Sequence, residues 1–141
     1  MALIQDRARS EVKKRFEALD KPVKIINFTQ EFECTYCRDT RELLTELWDM
    51  SEKLGLEVFD FVKNKEEVER YKIDKIPATV ITGDRETGIR YYGIPAGYEF
   101  GTLIEDILMV SKRDSGLAPD TRKKLAALTT PLHLQVFVTP T

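Results

Sequence analysis

The only two cysteines of the chain stand three positions apart in Cys34-Thr35-Tyr36-Cys37, between an apolar, β-branched run and a stretch of helical periodicity. That placement constrains the chain more than any bulk property. Upstream, Pro22 precedes Val23, Ile25, Ile26 and Phe28, a run of strand length and composition that should end near Thr29. Downstream of Cys37, the residues Leu43, Leu44, Leu47, Trp48, Met50 and Leu54 recur at helical spacing, and Gly55 is placed to stop the helix. A thiolate at this junction meets unpaired N–H groups and the positive end of a helix, which favour the ionised form.

Cys34, at or before the first turn, is therefore expected to be the exposed nucleophile. Cys37, expected one turn inside the helix, is placed to attack the mixed disulfide and release the substrate. Glu31 and Glu33 stand just before the pair and repel a developing thiolate. Two unit charges about 4 Å apart interact by about 1 kcal/mol in water, whereas a helix terminus contributes up to about 2 kcal/mol. The helix should win, with the acids moderating the activation. A CxxC is also half of a zinc site, but a closed site needs four ligands and the sole histidine, His133, lies far along the chain. No metal and no cofactor are expected.

The remaining periodicities complete an α/β order. Ile4, Val12 and Phe16 predict a helix over residues 4–19, and Leu56, Val58, Phe59, Phe61 and Val62 a second strand. A short helix from Glu66 to Tyr71 should bury Val68 and Tyr71. Residues 78–82 and 89–93 read as strands joined by Gly-Asp-Arg-Glu-Thr-Gly, hence a hairpin. Phe100, Leu103, Ile104, Ile107 and Leu108 predict an amphipathic helix over 98–111. The order is α-β-α-β-α-β-β-α, a central mixed sheet flanked by helices, with the first helix an addition at the amino end. Trp48, Phe59, Phe61 and Phe100 fall on the predicted buried faces. Tyr91 and Tyr92 should point to opposite faces of their strand, while Gly93 and Gly97 should serve the backbone at the strand exit and helix start.

Residues 112–120 are polar, with Gly116 and Pro119, and have the composition of a connector. Beyond it the opening of the chain begins again. At a constant offset of 109 positions, Phe16 matches Leu125, Leu19 matches Leu128, Pro22 matches Pro131, Val23 matches Leu132, Ile25 matches Leu134 and Phe28 matches Phe137. The basic triplet Lys13-Lys14-Arg15 matches Arg122-Lys123-Lys124 at the same offset. The expected organisation is one complete unit over residues 1–112, followed over 113–141 by a linker, a helix and the first strand of a truncated second unit. An unrelated tail helix and strand is the plainer alternative. The apolar strand of 132–137, lacking its own module, invites self-association.

With 141 residues the chain is long enough for one buried core and a little more. The 22 basic and 24 acidic side chains nearly balance, which points to neither a nucleic-acid nor a membrane partner. Asp6, Arg7 and Arg9 break up the amino end before an apolar run of signal-peptide length can form, and no stretch approaches the length of a spanning helix. A cytoplasmic location is the expectation.

Ile76-Pro77-Ala78 admits two readings. Proline before a strand often marks only its start. Beside a strand-CxxC-helix unit and a closing hairpin, Pro77 looks instead like the cis-proline that thioredoxin folds set opposite their cysteines, leaving the backbone of Ile76 to pair with an extended substrate.

Together, the helix before Pro22-Val-Lys-Ile-Ile, the Cys34-Thr-Tyr-Cys37 pair, Tyr71-Lys-Ile-Asp-Lys-Ile-Pro-Ala-Thr79 and Arg90-Tyr-Tyr-Gly-Ile-Pro-Ala-Gly-Tyr-Glu-Phe100 resemble the amino-terminal unit of a known family. It is that of the protein disulfide oxidoreductases of hyperthermophiles, glutaredoxin-like proteins built of two tandem thioredoxin-fold units. Val136-Phe-Val-Thr-Pro-Thr141 resembles the strand and loop that precede the second unit's CxxC. The resemblance implies a thioredoxin-like fold and a cytosolic enzyme that makes, breaks or reshuffles disulfides in protein substrates. It implies Cys34 as nucleophile, Cys37 as resolving thiol and Pro77 as cis-proline, with Thr35, Tyr36 and Ile76 against the substrate. A thioredoxin reductase-like dithiol donor is the implied partner. Two departures stand out: the second unit's cysteines are missing, and Phe28 occupies the position where thioredoxins proper hold a buried acid. The CxYC pattern is shared with glutaredoxins, whose substrates are glutathione mixed disulfides. A non-catalytic module with an inert disulfide is the rival from another class.

Overall fold

A computed structural model describes residues 2–139. β1 (Val23–Thr29) is buried at every position but Lys24, and it is the strand on which the others assemble. On one side it pairs in parallel with β2 (Leu54–Asp60), Val23 opposite Leu54 and Thr29 opposite Asp60. On the other it pairs antiparallel with β3 (Ala78–Thr82), Asn27 opposite Thr79 and Phe28 opposite Ala78. β4 (Ile89–Tyr92) adds to β3 as a hairpin, so the mixed sheet runs β2-β1-β3-β4. The helices α1 (Asp6–Phe16), α2 (Cys37–Trp48), α3 (Lys65–Arg70) and α4 (Tyr98–Lys112) complete the expected order, followed by α5 (Pro119–Ala126).

Alternation along β1 divides the core between the two faces of the sheet. Val23 and Ile25 pack with Phe16, Leu44, Leu47, Leu103, Ile104 and Ile107 beneath α1, α2 and α4. Ile26 and Phe28 point the other way, into a smaller cluster with Tyr71, Ile73 and Val80 beside α3. There the Phe28 ring meets those of Phe59 and Tyr71 at centroid distances of 5.6 and 5.8 Å. Tyr91 is buried and Tyr92 exposed, as the strand period requires. Tyr91 donates a 2.5 Å hydrogen bond to Asp106, tying β4 to α4; burial and that carboxylate push the phenol well above its ordinary pKa. Gly93 and Gly97 both have positive φ, +89° and +60°, which fits the backbone roles expected of them.

Three expectations need correction. The apolar spacing carries α2 to Leu54, but the helix ends at Trp48, and Gly55 is a β2 residue opposite Lys24. Met50 and Leu54 do enter the core, but from a turn and a strand; the spacing continues because both lie over the same cluster. Trp48 is 46% exposed, since one residue beyond the buried Leu47 is a rotation of about 100° toward solvent. Phe59, Phe61 and Phe100 are partly buried against the core. At the carboxyl end, residues 129–139 form no strand among the described residues. Positions buried in the opening are exposed in their counterparts: Leu128 at 53%, Leu134 at 87% and Phe137 at 89%. A strand needs neighbours for its ladder, and among the described residues 132–137 has none. The remainder of Val136–Thr141 lies outside the described residues.

α1 has no capping side chain at its N-cap, and Glu46 of α2 instead ties down the segment that leads into it. Its carboxylate accepts from Leu3 N at 2.7 Å, Ile4 N at 3.1 Å and Arg9 Nη2 at 3.0 Å. Burial alone would raise the Glu46 pKa, but the two backbone donors and Arg9 outweigh it and hold the carboxyl below its usual range. A depressed acid stabilises the fold above its unfolded pKa and loses that contribution as pH falls through the folded one. Glu46→Gln should cost about 1–2 kcal/mol in urea unfolding near neutrality, and the difference from the parent should vanish in acid.

Candidate redox site

The site forms where β1 ends and α2 begins. Past Thr29 the chain turns through Gln30–Tyr36, and Cys34 and Cys37 are joined in a disulfide with Cα atoms 5.5 Å apart. Cys37 is the first residue of α2 rather than one turn inside it, with Tyr36 at the N-cap. The N–H of Cys37 reaches back to the carbonyl of Cys34 at 3.5 Å, and Thr40 N binds Tyr36 O at 2.9 Å. The N–H groups of Arg38 and Asp39 have no acceptor upstream in the helix, which leaves the positive end of α2 facing the pair.

The two sulfurs differ in access. Cys34 is half-buried between the exposed Glu33 and Thr35, whereas Cys37 is 1% exposed. Phe32 and Tyr36 flank the pair with largely exposed rings. Glu31 and Glu33 are exposed as well, which keeps their repulsion of a thiolate in high dielectric. A cavity of about 470 Å³ opens beside Cys34, walled by Gln30, Arg38, Arg41 and Glu42 among others. Arg38 is held by Glu42 at 2.9 Å.

The register of the sheet brings Pro77 to the same end. Phe28 pairs with Ala78, so the residue before Ala78 lies level with the end of β1, where the cysteine loop departs. The Ile76–Pro77 peptide is cis, and Pro77 is buried with its carbonyl held by Gly93 N at 2.9 Å. Among the described residues no backbone hydrogen bond engages Ile76, which is half-buried. Lys75 lies 4.4 Å from the centroid of the Tyr92 ring and flanks this loop. Phe28, in the position of the missing acid, is fully buried on the opposite face of the sheet from α2. Among the described residues no three His, Cys, Asp or Glu side chains converge as a metal site would require. Composition and spacing do not single out the buried polar residues Asn27, Thr40 and Thr79 at this end of the sheet and of α2, although Asn27 interrupts the apolar run Ile25–Phe28.

No protein-family model matches the chain. The AhpF component of alkyl hydroperoxide reductase from Staphylococcus aureus is 29% identical over 104 residues, which cover 74% of this chain and 18% of that protein. The structure of a protein disulfide oxidoreductase from Aeropyrum pernix superposes with a TM-score of 0.79 at 26% identity, over 89% of this chain and 55% of that one. The alkyl hydroperoxide reductase AhpF of Enterococcus faecalis gives 0.79 at 25% identity, over 88% and 60%. A thioredoxin from Fasciola hepatica, at 20% identity, shares the fold with a TM-score of 0.54. The fold is thioredoxin-like, and Cys34 and Cys37 form a disulfide at the amino end of its helix α2. The likeness to a protein disulfide oxidoreductase upholds the resemblance read from the sequence. The chain spans 55% and 60% of the Aeropyrum and Enterococcus structures and about a fifth of the curated relative.

After reduction, brief iodoacetamide treatment should label Cys34 and spare Cys37, as read by peptide mass. The pH dependence of labelling should place the Cys34 pKa below that of free cysteine; a value above it would refute activation by α2.

Proposed function

We propose that the chain is a dithiol/disulfide oxidoreductase acting on protein disulfides, with Cys34 the attacking thiol and Cys37 the resolving one. The observation that carries this reading is the unequal access of two sulfurs at the amino end of one helix. An incoming disulfide meets Cys34 first, and Cys37 can attack only from within. The unengaged backbone of Ile76 supports an extended substrate segment lying beside the pair as an added strand, with Thr35, Tyr36 and the buried Pro77 forming the adjoining surface. A dithiol donor such as a thioredoxin reductase-like enzyme would restore the reduced pair. No helix is long and apolar enough to cross a membrane among the described residues.

The cavity beside Cys34 favours a second reading. Among the described residues Arg41 has no ion-pair partner within 4 Å, and with Arg38 it could receive a carboxylate of glutathione, so that reduction of glutathione mixed disulfides would proceed through Cys34 alone.

With dithiothreitol as reductant, the protein should accelerate insulin precipitation, and Cys34→Ser should abolish the effect. Cys37→Ser should accumulate mixed disulfides with protein substrates. If Cys37→Ser instead retains full turnover on glutathionylated substrates while the parent fails on insulin, the glutathione reading replaces the first. The exposed apolar side chains of residues 128–138 are the expected contact for a second copy. Light scattering should therefore give more than a monomer mass for the full chain and a monomer for a chain ending at residue 116.

A further inference from the structure

Among the described residues, three side-chain oxygens of the interior have no hydrogen-bond partner: Asn27 Oδ1, Thr40 Oγ1 and Thr79 Oγ1, on residues that are each 0% exposed. Such groups are rare in folded proteins because water would have satisfied them in the unfolded chain. These three share one place. Asn27 and Thr79 are opposite each other across β1 and β3, so their side chains leave the same face of the sheet. It is the face of Ile25 and Ile81, covered by α2 and α4. Asn27 Nδ2 is engaged by the carbonyl of Ala78 at 3.2 Å, next to Pro77, which leaves its Oδ1 unmatched. Thr40 lies three residues after Cys37, on the buried side of α2 that both occupy. Because α2 starts where β1 ends and returns along it, its first turn covers the end of β1 that carries Asn27, not the end that carries Val23.

Cys37, on that same first turn, is in its disulfide form, and its sulfur has no proton to donate and little strength as an acceptor. A thiolate is different, since it accepts strongly. We propose that Thr40 and Thr79 are positioning residues for the second thiol: in the reduced protein their hydroxyls donate to the Cys37 thiolate, and Asn27 Oδ1 accepts from Cys37 when it is protonated. The three groups are idle in the disulfide and engaged in the dithiol. No buried acid stands beside them, Phe28 occupying that position and facing the other way.

The inference rests on the reading of Cys37 as the resolving thiol. In that step Cys37 gives up its proton, and its thiolate attacks Cys34 Sγ. The bond between Cys34 and the substrate sulfur breaks, and the substrate leaves as a thiolate that ends with the proton. Two electrons pass from the cysteine pair to the substrate. Threonine and asparagine are not bases, so their contribution is to hold the thiolate once formed. Among the described residues no acid or base is one of the buried polar side chains. β3 carries no charged residue, and on β1 Lys24 is exposed at the far end, paired with Glu57. Glu31, Glu33, Arg38 and Arg41 are exposed, Asp39 is half-buried, and Asp106 of α4 is taken by Tyr91.

The test is a titration of the reduced protein with ¹³Cβ-labelled cysteines, following both thiols by NMR, together with equilibration against glutathione. In Thr40→Val/Thr79→Val the Cys37 titration should move up by about one pH unit while that of Cys34 stays. The disulfide should become favoured about tenfold, equivalent to about 30 mV. Thr40→Ser/Thr79→Ser, which keeps both hydroxyls, should titrate like the parent. An unmoved Cys37 in the valine variant, or serine and valine variants that behave alike, would overturn the proposal. Should the double valine variant not fold, each single valine substitution is read in the same way, with a smaller shift expected. If the parent fails to reduce insulin but Cys37 responds to the valines, the assignment of the hydroxyls stands and the protein-substrate reading falls.

Discussion

Everything in this molecule is arranged around the two-sided hydrogen bonding of β1. Flanked by β2 in parallel and β3 antiparallel, it has no exposed edge, and its side chains supply both hydrophobic clusters. A strand used on both edges and both faces must be almost wholly apolar. That is why Val23–Phe28 is so conspicuous, and why the one polar residue buried inside it, Asn27, needs an explanation of its own.

The redox pair inherits its geometry from that strand. The parallel connection to β2 requires a crossover, and α2 provides it, so a helix amino end is delivered to the carboxyl edge of the central strand. The antiparallel pairing of β3 sends its opening residues to the same edge, bringing Ile76–Pro77 level with the cysteine loop. Neither arrangement is made for chemistry alone. Both follow from burying one strand completely, and they create a place where a thiolate gains a helix terminus and a substrate gains an open stretch of backbone.

Much of this was legible in the residues. The β-branched runs gave β3 within its observed limits and β1 to within a residue, because in both the side chains that set the pattern are the ones the sheet buries. The cysteine pair was legible because its meaning depends on the strand before it and the helix after it. Less legible were features decided by three-dimensional company. Met50 and Leu54 continue a helical spacing across a turn because both reach the same core cluster, and nothing local distinguishes that from a longer helix. Trp48 is one position out of phase with Leu47, a difference that size and hydrophobicity conceal. Thr40 and Thr79 sit in a helix and a strand that tolerate threonine, and only the lack of hydrogen-bond partners for their hydroxyls marks them.

The disulfide closes a ring over a sequence separation of only three residues. In the chain-entropy account, even so short a loop restricts the unfolded polypeptide by about 2 kcal/mol. Against the roughly 5–15 kcal/mol by which domains hold together, that is a sizeable share. Electron transfer and folding are therefore linked properties of the same molecule: whatever the fold contributes to closing the pair, the closed pair returns to the stability of the fold.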